Sequence, residues 1–95
     1  MGKYEIMYIL NATLEEGARK EEIEKLHGVL TAQKAQIRDV KEWGVKDFAS
    51  PIKSFTKGYY VIIKVTAEPA ALNEFDRVAR LDSNVIRHLI IKDQD

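Results

Sequence analysis

Aromatic rings and lysines are concentrated in one stretch of this chain, and together they could bind nucleic acid. Between Trp43 and Tyr60 lie five of the eight aromatic residues, three lysines and a single acid. Rings stack on unpaired bases, and lysines attract phosphate. Two strand-like runs flank Ser50-Pro51, and Gly58 closes the stretch, which predicts a long hairpin centred on Ser50-Pro51. The alternative is an ordinary hairpin whose rings cover the core, and the local sequence favours neither.

Residues that could carry catalysis are sparse. The two histidines, His27 and His88, fall in different predicted elements, and neither has a second histidine or a carboxylate pair at metal-ligand spacing. A phosphate-binding loop would lie between Asn11 and Gly17, where Glu15 and Glu16 would repel the anion. We therefore expect no enzymatic activity, no metal, no cofactor and no small-molecule substrate.

Length and composition limit the kind of protein that this chain can be. The 95 residues suffice for one domain, residues 1–95, with a single core. The chain has no cysteine, which fits a reducing compartment. The apolar run from Ile6 to Leu10 is too short to cross a bilayer, and no signal-peptide pattern is recognisable. These features predict a soluble, cytoplasmic protein with no membrane partner.

The chain has no net charge, since it contains 15 basic and 15 acidic residues. A protein that holds nucleic acid alone usually presents a strongly basic face, because phosphate contacts supply most of the affinity. Any nucleic-acid role must therefore use a local cluster of cations or a partner that brings positive charge.

Hydrophobic periodicity predicts the order strand, helix, strand, strand, helix, strand. Four runs alternate in hydropathy or are rich in β-branched and aromatic residues. These predicted strands are Lys3–Leu10, Ile37–Phe48, Tyr59–Val65 and Val85–Lys92. The uneven spacing of Ile37 and Val40 predicts a β-bulge in the second strand.

Two segments have apolar residues at helical spacing. The first helix is predicted to begin at Thr13, with Glu16 completing a capping box, and to end near Ala32. The second is predicted to begin at Pro69, which the first helical turn tolerates, and to precede a turn at Leu81–Asn84. Two such helices on one face of a four-stranded antiparallel sheet form the ferredoxin-like βαββαβ sandwich of the α+β class.

The predicted sheet is apolar on both faces, although two helices can cover only one. One set of strand residues is expected to face the helices: Ile6, Tyr8, Val61, Ile63, Val65, Ile86 and Ile90. The alternate set points away from them: Met7, Ile9, Tyr60, Ile62, Leu89 and Ile91. A lone monomer rarely exposes such a patch, so we expect a partner on this face. The alternative is a self-associating ferredoxin-like interaction module without RNA binding.

Segments spread along the whole chain resemble the family of the sixth protein of the bacterial small ribosomal subunit. They are Lys3–Leu10, Trp43-Gly44, Gly58-Tyr59-Tyr60 and Leu81–Ile91, and their order and spacing carry the resemblance. It implies a structural ribosomal protein with the fold predicted above. It also implies binding to the central domain of small-subunit ribosomal RNA, as a heterodimer with the eighteenth small-subunit protein during assembly.

The resemblance further implies two groups of binding residues. Lys3 and Arg87 match positions where the family tends to be basic, and we expect both on the outward face of adjacent strands. Lys92 extends that edge, and Tyr4 supports these cations in RNA binding. The residues expected to bind the partner protein are Trp43, Lys46, Phe48, Tyr60 and Ile62. Exposed rings are the usual anchors of protein interfaces.

Overall fold

The predicted order of six elements is confirmed in a computed structural model, which describes residues 1–93. The strands are β1 (Gly2–Asn11), β2 (Gln36–Ile52), β3 (Phe55–Ala67) and β4 (Val85–Lys92). The helices are α1 (Glu16–Ala32) and α2 (Pro69–Leu81). The strands form one antiparallel sheet in the order β2-β3-β1-β4. This is the ferredoxin-like sandwich of the α+β class that periodicity predicts.

The core lies between the two helices and one face of the sheet, because alternate strand residues meet the apolar stripe of each helix. From the sheet it takes Ile6, Tyr8, Leu10, Val61, Ile63, Val65, Ala67 and Val85. From the helices it takes Ile23, Leu26, Leu30, Ala71, Leu72, Phe75 and Ala79. We call the opposite side of the sheet the outer face.

One strand residue departs from the predicted pattern. Ile86 was predicted to face the helices, but the structure pairs Val85 with Leu10 in the core and leaves Ile86, although buried, outside that cluster. A register shift between Ile9 and Leu10 interrupts the β1–β4 pairing at this point. Such an irregularity changes which side chain faces inward, so simple alternation fails here.

The first helix begins later than predicted. Its N-cap is Glu15, and no side chain makes a capping hydrogen bond, so the predicted capping box of Thr13 and Glu16 is wrong. Instead, the backbone N–H and the hydroxyl of Thr13 both donate to Asn11 Oδ1, at 3.0 and 2.8 Å. This local turn at the end of β1 uses the Thr13 hydroxyl that a capping box would need.

The hairpin of β2 and β3 turns at Lys53 and Ser54, not at Ser50-Pro51 as predicted. Both turn residues have positive φ, 50° and 71°, as the two central residues of a type I′ turn require. Pro51 lies within β2, an edge strand that can accommodate a residue without a backbone N–H. Residues 48–51 lie opposite residue 56 alone, which bends the hairpin near its tip. The bulge predicted near Ile37 is confirmed, since the register shifts between Ile37 and Asp39.

Gly58 allows the hairpin to approach the outer side of β1. A Cβ at this position would overlap Ile9 Cγ2 and lie 2.8 Å from Phe48 Cζ. Ile9 is only 2% exposed, although its register position is on the outer face. The hairpin residues beside it therefore cover one end of that face.

A buried carboxyl group links α1 to the turn between α2 and β4. Glu22 is 8% exposed and shares a side-chain hydrogen bond with Asp82, which also accepts one from Lys25 Nζ at 3.0 Å. Burial, and then the hydrogen bond and charge of Asp82, raise the pKa of Glu22 to about 7. Despite its own burial, Asp82 has a lowered pKa, because it accepts hydrogen bonds from Glu22, Asn84 and Lys25. The pair therefore holds one proton, on Glu22, at mildly acidic pH.

The variant Glu22→Gln should lose part of the pH dependence of stability. Glu22 keeps its proton up to about pH 7 in the folded protein, whereas an ordinary glutamate has a pKa of 4.5. The folded state therefore binds more protons between these values, and this group makes the free energy of unfolding fall as pH rises through them. Glutamine cannot ionise, so the variant should lack that contribution.

Urea unfolding of both proteins at several pH values measures this difference. Glu21→Gln, at an exposed position of the same helix, is the control and should keep the wild-type profile. An equal decline with pH in Glu22→Gln and the wild type would show that Glu22 does not hold the proton.

Candidate interaction surface

Residues on the outer face lie in cross-strand rows, because every second residue of β1, β3 and β4 is on this side of the sheet. One row is Lys41, Ile62, Met7 and Leu89; its neighbours are Gly44, Tyr60, Ile9 and Arg87, and Asp39, Lys64, Glu5 and Ile91. Ile62, Met7 and Leu89, with Tyr60 and Ile9 beside them, form an apolar centre. The charged residues around it are Lys41, Arg87, Asp39, Lys64 and Glu5. An exposed apolar centre with a charged rim is the arrangement of a protein interface.

The apolar centre is accessible to solvent over most of its length. Leu89 and Ile91 are 49% and 46% exposed, while Met7, Tyr60 and Ile62 are half-buried. Five of the six residues predicted to point outward therefore form an accessible surface. The sixth is Ile9, which the hairpin covers.

The predicted partner-binding residues come together on the β2–β3 side of this face. The Lys46 ammonium lies 5.3 Å from the centroid of the Trp43 ring, and Trp43 is 55% exposed. The Phe48 and Tyr60 rings meet edge to face, with centroids 6.3 Å apart. Ile62 lies on the same face, in the row next to Tyr60. These contacts hold the rings in place before any partner binds, which lowers the entropy cost of association.

Not every ring of the hairpin belongs to this surface. Tyr59 packs against the helix-side core, and its hydroxyl donates to Glu42 Oε1 at 2.8 Å. The Arg19 guanidinium covers its ring at 4.3 Å from the centroid. Burial, with the adjacent Glu42 carboxylate, raises the pKa of Tyr59. The alternative in which hairpin rings cover the core is therefore correct for Tyr59.

The four residues predicted to bind RNA are not brought together. Lys3 and Arg87 are exposed on the outer face, but Arg87 pairs with Ile9, six residues from Lys3. That separation is about 20 Å along the strand. Tyr4 packs against the core on the helix side and pairs with Lys92. These two residues therefore belong to the helix side of the sheet and not to the outer face.

Met7 and Leu89 belong to the surface, although they were not among the predicted partner-binding residues. Met7 pairs with Ile62 on one side and with Leu89 on the other, which makes them neighbours of a predicted residue. The strand alternation in the sequence already placed all three on the same face. What it lacked was the register that puts them in one row.

Both histidines have structural contacts. His27 Nε2 lies 2.8 Å from the hydroxyl of buried Tyr8, and burial lowers the pKa of His27. His88 Nε2 lies 2.6 Å from Asp76 Oδ1. Within residues 1–93, no group of three or more His, Cys, Asp or Glu side chains could hold a metal ion. None of the helices in that range is both long and apolar enough to cross a membrane.

Comparison with known proteins shows a match over nearly the whole chain. Residues 3–92 match the family described as ribosomal protein S6. A curated relative, the small ribosomal subunit protein bS6 of Halalkalibacterium halodurans, is 50% identical over 95 residues, which is 100% of both chains. The crystal structure of the 30S ribosomal protein S6 from Thermotoga maritima is similar with a TM-score of 0.91 at 26% identity, covering 97% of this chain and 87% of that one. The similarity thus includes every strand that builds the outer face.

Proposed function

Since the chain belongs to the ribosomal protein S6 family, and is thus a noncatalytic structural protein of the small ribosomal subunit, we propose that it binds the central domain of small-subunit ribosomal RNA together with the eighteenth small-subunit protein. The complex forms during assembly of the subunit, in the cytoplasm. The chain supplies an apolar docking surface, and the partner supplies much of the positive charge that RNA binding needs.

The accessible apolar centre of the outer face is the observation that carries this proposal. Ile62, Met7 and Leu89 form a row across three strands, and no described element of the chain covers it. Burying such a row favours binding by about 25 cal/mol for each Å² of apolar surface that is removed from water. The rings of Trp43 and Tyr60 beside it are the residue types that anchor interfaces.

The position of each residue decides whether we assign it to the partner protein or to RNA. Those assigned to the partner protein are Trp43, Lys46, Phe48, Tyr60 and Ile62. Lys3 lies near the beginning of β1 and Arg87 near the beginning of β4, both on the outer face, and they contact RNA phosphates there. Lys92 and Tyr4 contact RNA where it passes around the end of β4 to the other side of the sheet.

Mass measurement at micromolar concentration tests the proposed heterodimer. The chain alone should be a monomer, and an equimolar mixture with the eighteenth protein should give a 1:1 complex. A stable homodimer that does not exchange with the eighteenth protein would favour the alternative, a self-associating module without RNA binding.

The variant Arg87→Gln should weaken binding of the assembled heterodimer to a central-domain RNA fragment. A guanidinium can hold a phosphate through two N–H donors, and each lost phosphate contact lowers the salt slope of log K by about one. Affinity measured over a range of salt concentrations gives that slope. The matched control is Arg77→Gln, because Arg77 is exposed on α2 and bonded to Glu74 at 2.7 Å. Equal slopes in the two variants would remove Arg87 from the proposed contacts.

A further inference from the structure

A groove opens between the hairpin tip and the beginning of β4. Its volume is about 540 Å³, and three separate parts of the chain line it. The lining residues are Ile52 and Lys53 from the tip, Ala79 and Arg80 from the end of α2, and residues 85–88 from β4. The bend at residues 48–51 and the turn at Lys53 bring the tip to this position.

The lining of this groove is strongly cationic. Lys53, Arg80 and Arg87 line it from three elements, and the one carboxylate bonded to this lining is that of Asp76, which pairs with Arg80 and His88 from behind the wall. A chain with 15 basic and 15 acidic residues therefore has an uneven distribution of charge. A second groove, between α1 and β2, has a mixed lining in which three glutamates accompany Arg19 and Lys20. The second groove thus does not share the cationic lining of the first.

Asp76 holds two groups of the groove wall in place. Its carboxylate lies 2.6 Å from Arg80 Nη2 and 2.6 Å from His88 Nε2. The Arg80 side chain is still 72% exposed, and a guanidinium has five N–H donors, so most of them remain available to a ligand. Lys53, at the apex of the turn, faces this wall from the other side of the groove.

The floor of the groove is apolar. Ile86, which the core does not use, is 2% exposed here, beside Ala79 and Val85. A nucleic-acid backbone carries phosphates that bind cations, and its sugars and bases cover apolar surface. A partner protein that brings positive charge would instead be repelled by three cations.

We propose that the groove lined by Lys53, Arg80 and Arg87 extends the RNA contact proposed for Arg87 and binds the phosphate backbone of ribosomal RNA. This inference rests on the proposed function and extends it, since Lys53 and Arg80 have no place in the contacts assigned above. The hairpin tip thereby has a role of its own: it positions one cation opposite those of α2 and β4.

The double variant Lys53→Asn, Arg80→Gln tests this site. Asparagine is suited to the positive φ of residue 53, so the turn should be retained. The matched control is Lys34→Asn, Arg77→Gln. Lys34 also has positive φ, 65°, in the turn before β2, and Arg77 lies on α2 outside the groove. Both double variants lose two positive charges, so long-range electrostatics change equally.

Affinity of each heterodimer for a central-domain RNA fragment is measured over a range of salt concentrations. The groove variant should bind at least about tenfold more weakly than the control, with a salt slope lower by about two. Its affinity for the eighteenth protein without RNA should be unchanged, and circular dichroism should show the wild-type fold. Equal RNA affinity in groove variant and control overturns the site, as does a selective loss of affinity for the protein partner. If the wild-type heterodimer itself fails to bind RNA, the proposed function fails first.

Discussion

The variant Ile62→Glu should lower the affinity for the eighteenth small-subunit protein by about 100-fold or more while the chain remains folded. Ile62 lies at the centre of the apolar rows, paired with Met7 on β1 and Lys41 on β2. A carboxylate here would be desolvated at the heart of the complex without a designed partner, which costs several kcal/mol. A loss of about 3 kcal/mol corresponds to that change in affinity. Isothermal titration calorimetry with the purified partner measures it.

Val40→Glu is the matched control for this experiment. Val40 is 42% exposed on edge strand β2, and it pairs with Ile63, whose side chain faces the helices. A glutamate there adds the same charge to the sheet but on the opposite face. Affinity for the partner should therefore stay near that of the wild type. Thermal unfolding of both variants separates lost binding from lost folding. Full partner affinity in a folded Ile62→Glu protein would place the interface elsewhere.

The variant Phe75→Ala should lower the free energy of unfolding by about 3–5 kcal/mol. Phe75 is fully buried on α2, and its ring centroid lies 6.1 Å from that of Tyr8 and 6.2 Å from that of His88. Truncation leaves a cavity between helix and sheet, in a domain whose total stability is expected to be about 5–15 kcal/mol. Urea unfolding monitored by circular dichroism measures the loss.

Phe55→Ala provides the comparison for that loss. Phe55 is half-buried beside the hairpin turn, at the beginning of β3. It belongs to no part of the core cluster, so its truncation should cost clearly less than that of Phe75. Equal losses at the two positions would mean that the helix–sheet core is not the main source of stability.

Elements with a strong local pattern were predicted well from the sequence. The bounds of β4 and the start of α2 agree with prediction, because alternation and a helix-initiating proline are both local signals. The hairpin was predicted, but the position of its turn was wrong. Ser50-Pro51 is a common turn dipeptide. Lys53 and Ser54 have positive φ, but neither is a glycine or asparagine, the residues that indicate such a turn in a sequence. Cross-strand pairing outweighed the local signal there.

The candidate site was predictable to the extent that it depends on alternation. Period-two spacing placed Met7, Ile62 and Leu89 on one face, and the structure shows them in a row. The same spacing groups Tyr4 with Ile6 and thus separates it from Lys3. The burial of Ile9 could not be foreseen, because it depends on the bend of a hairpin almost 50 residues further along the chain. The basic groove is equally non-local, since three distant segments build it.

RNA binding by this chain should depend on its protein partner. The most direct test of this dependence is the affinity for a central-domain fragment of small-subunit ribosomal RNA, measured with and without a saturating amount of the eighteenth protein. We expect weak binding by the chain alone and a gain of about 10- to 100-fold when the partner is present, a coupling of roughly 1–3 kcal/mol. The same affinity in both measurements would contradict it.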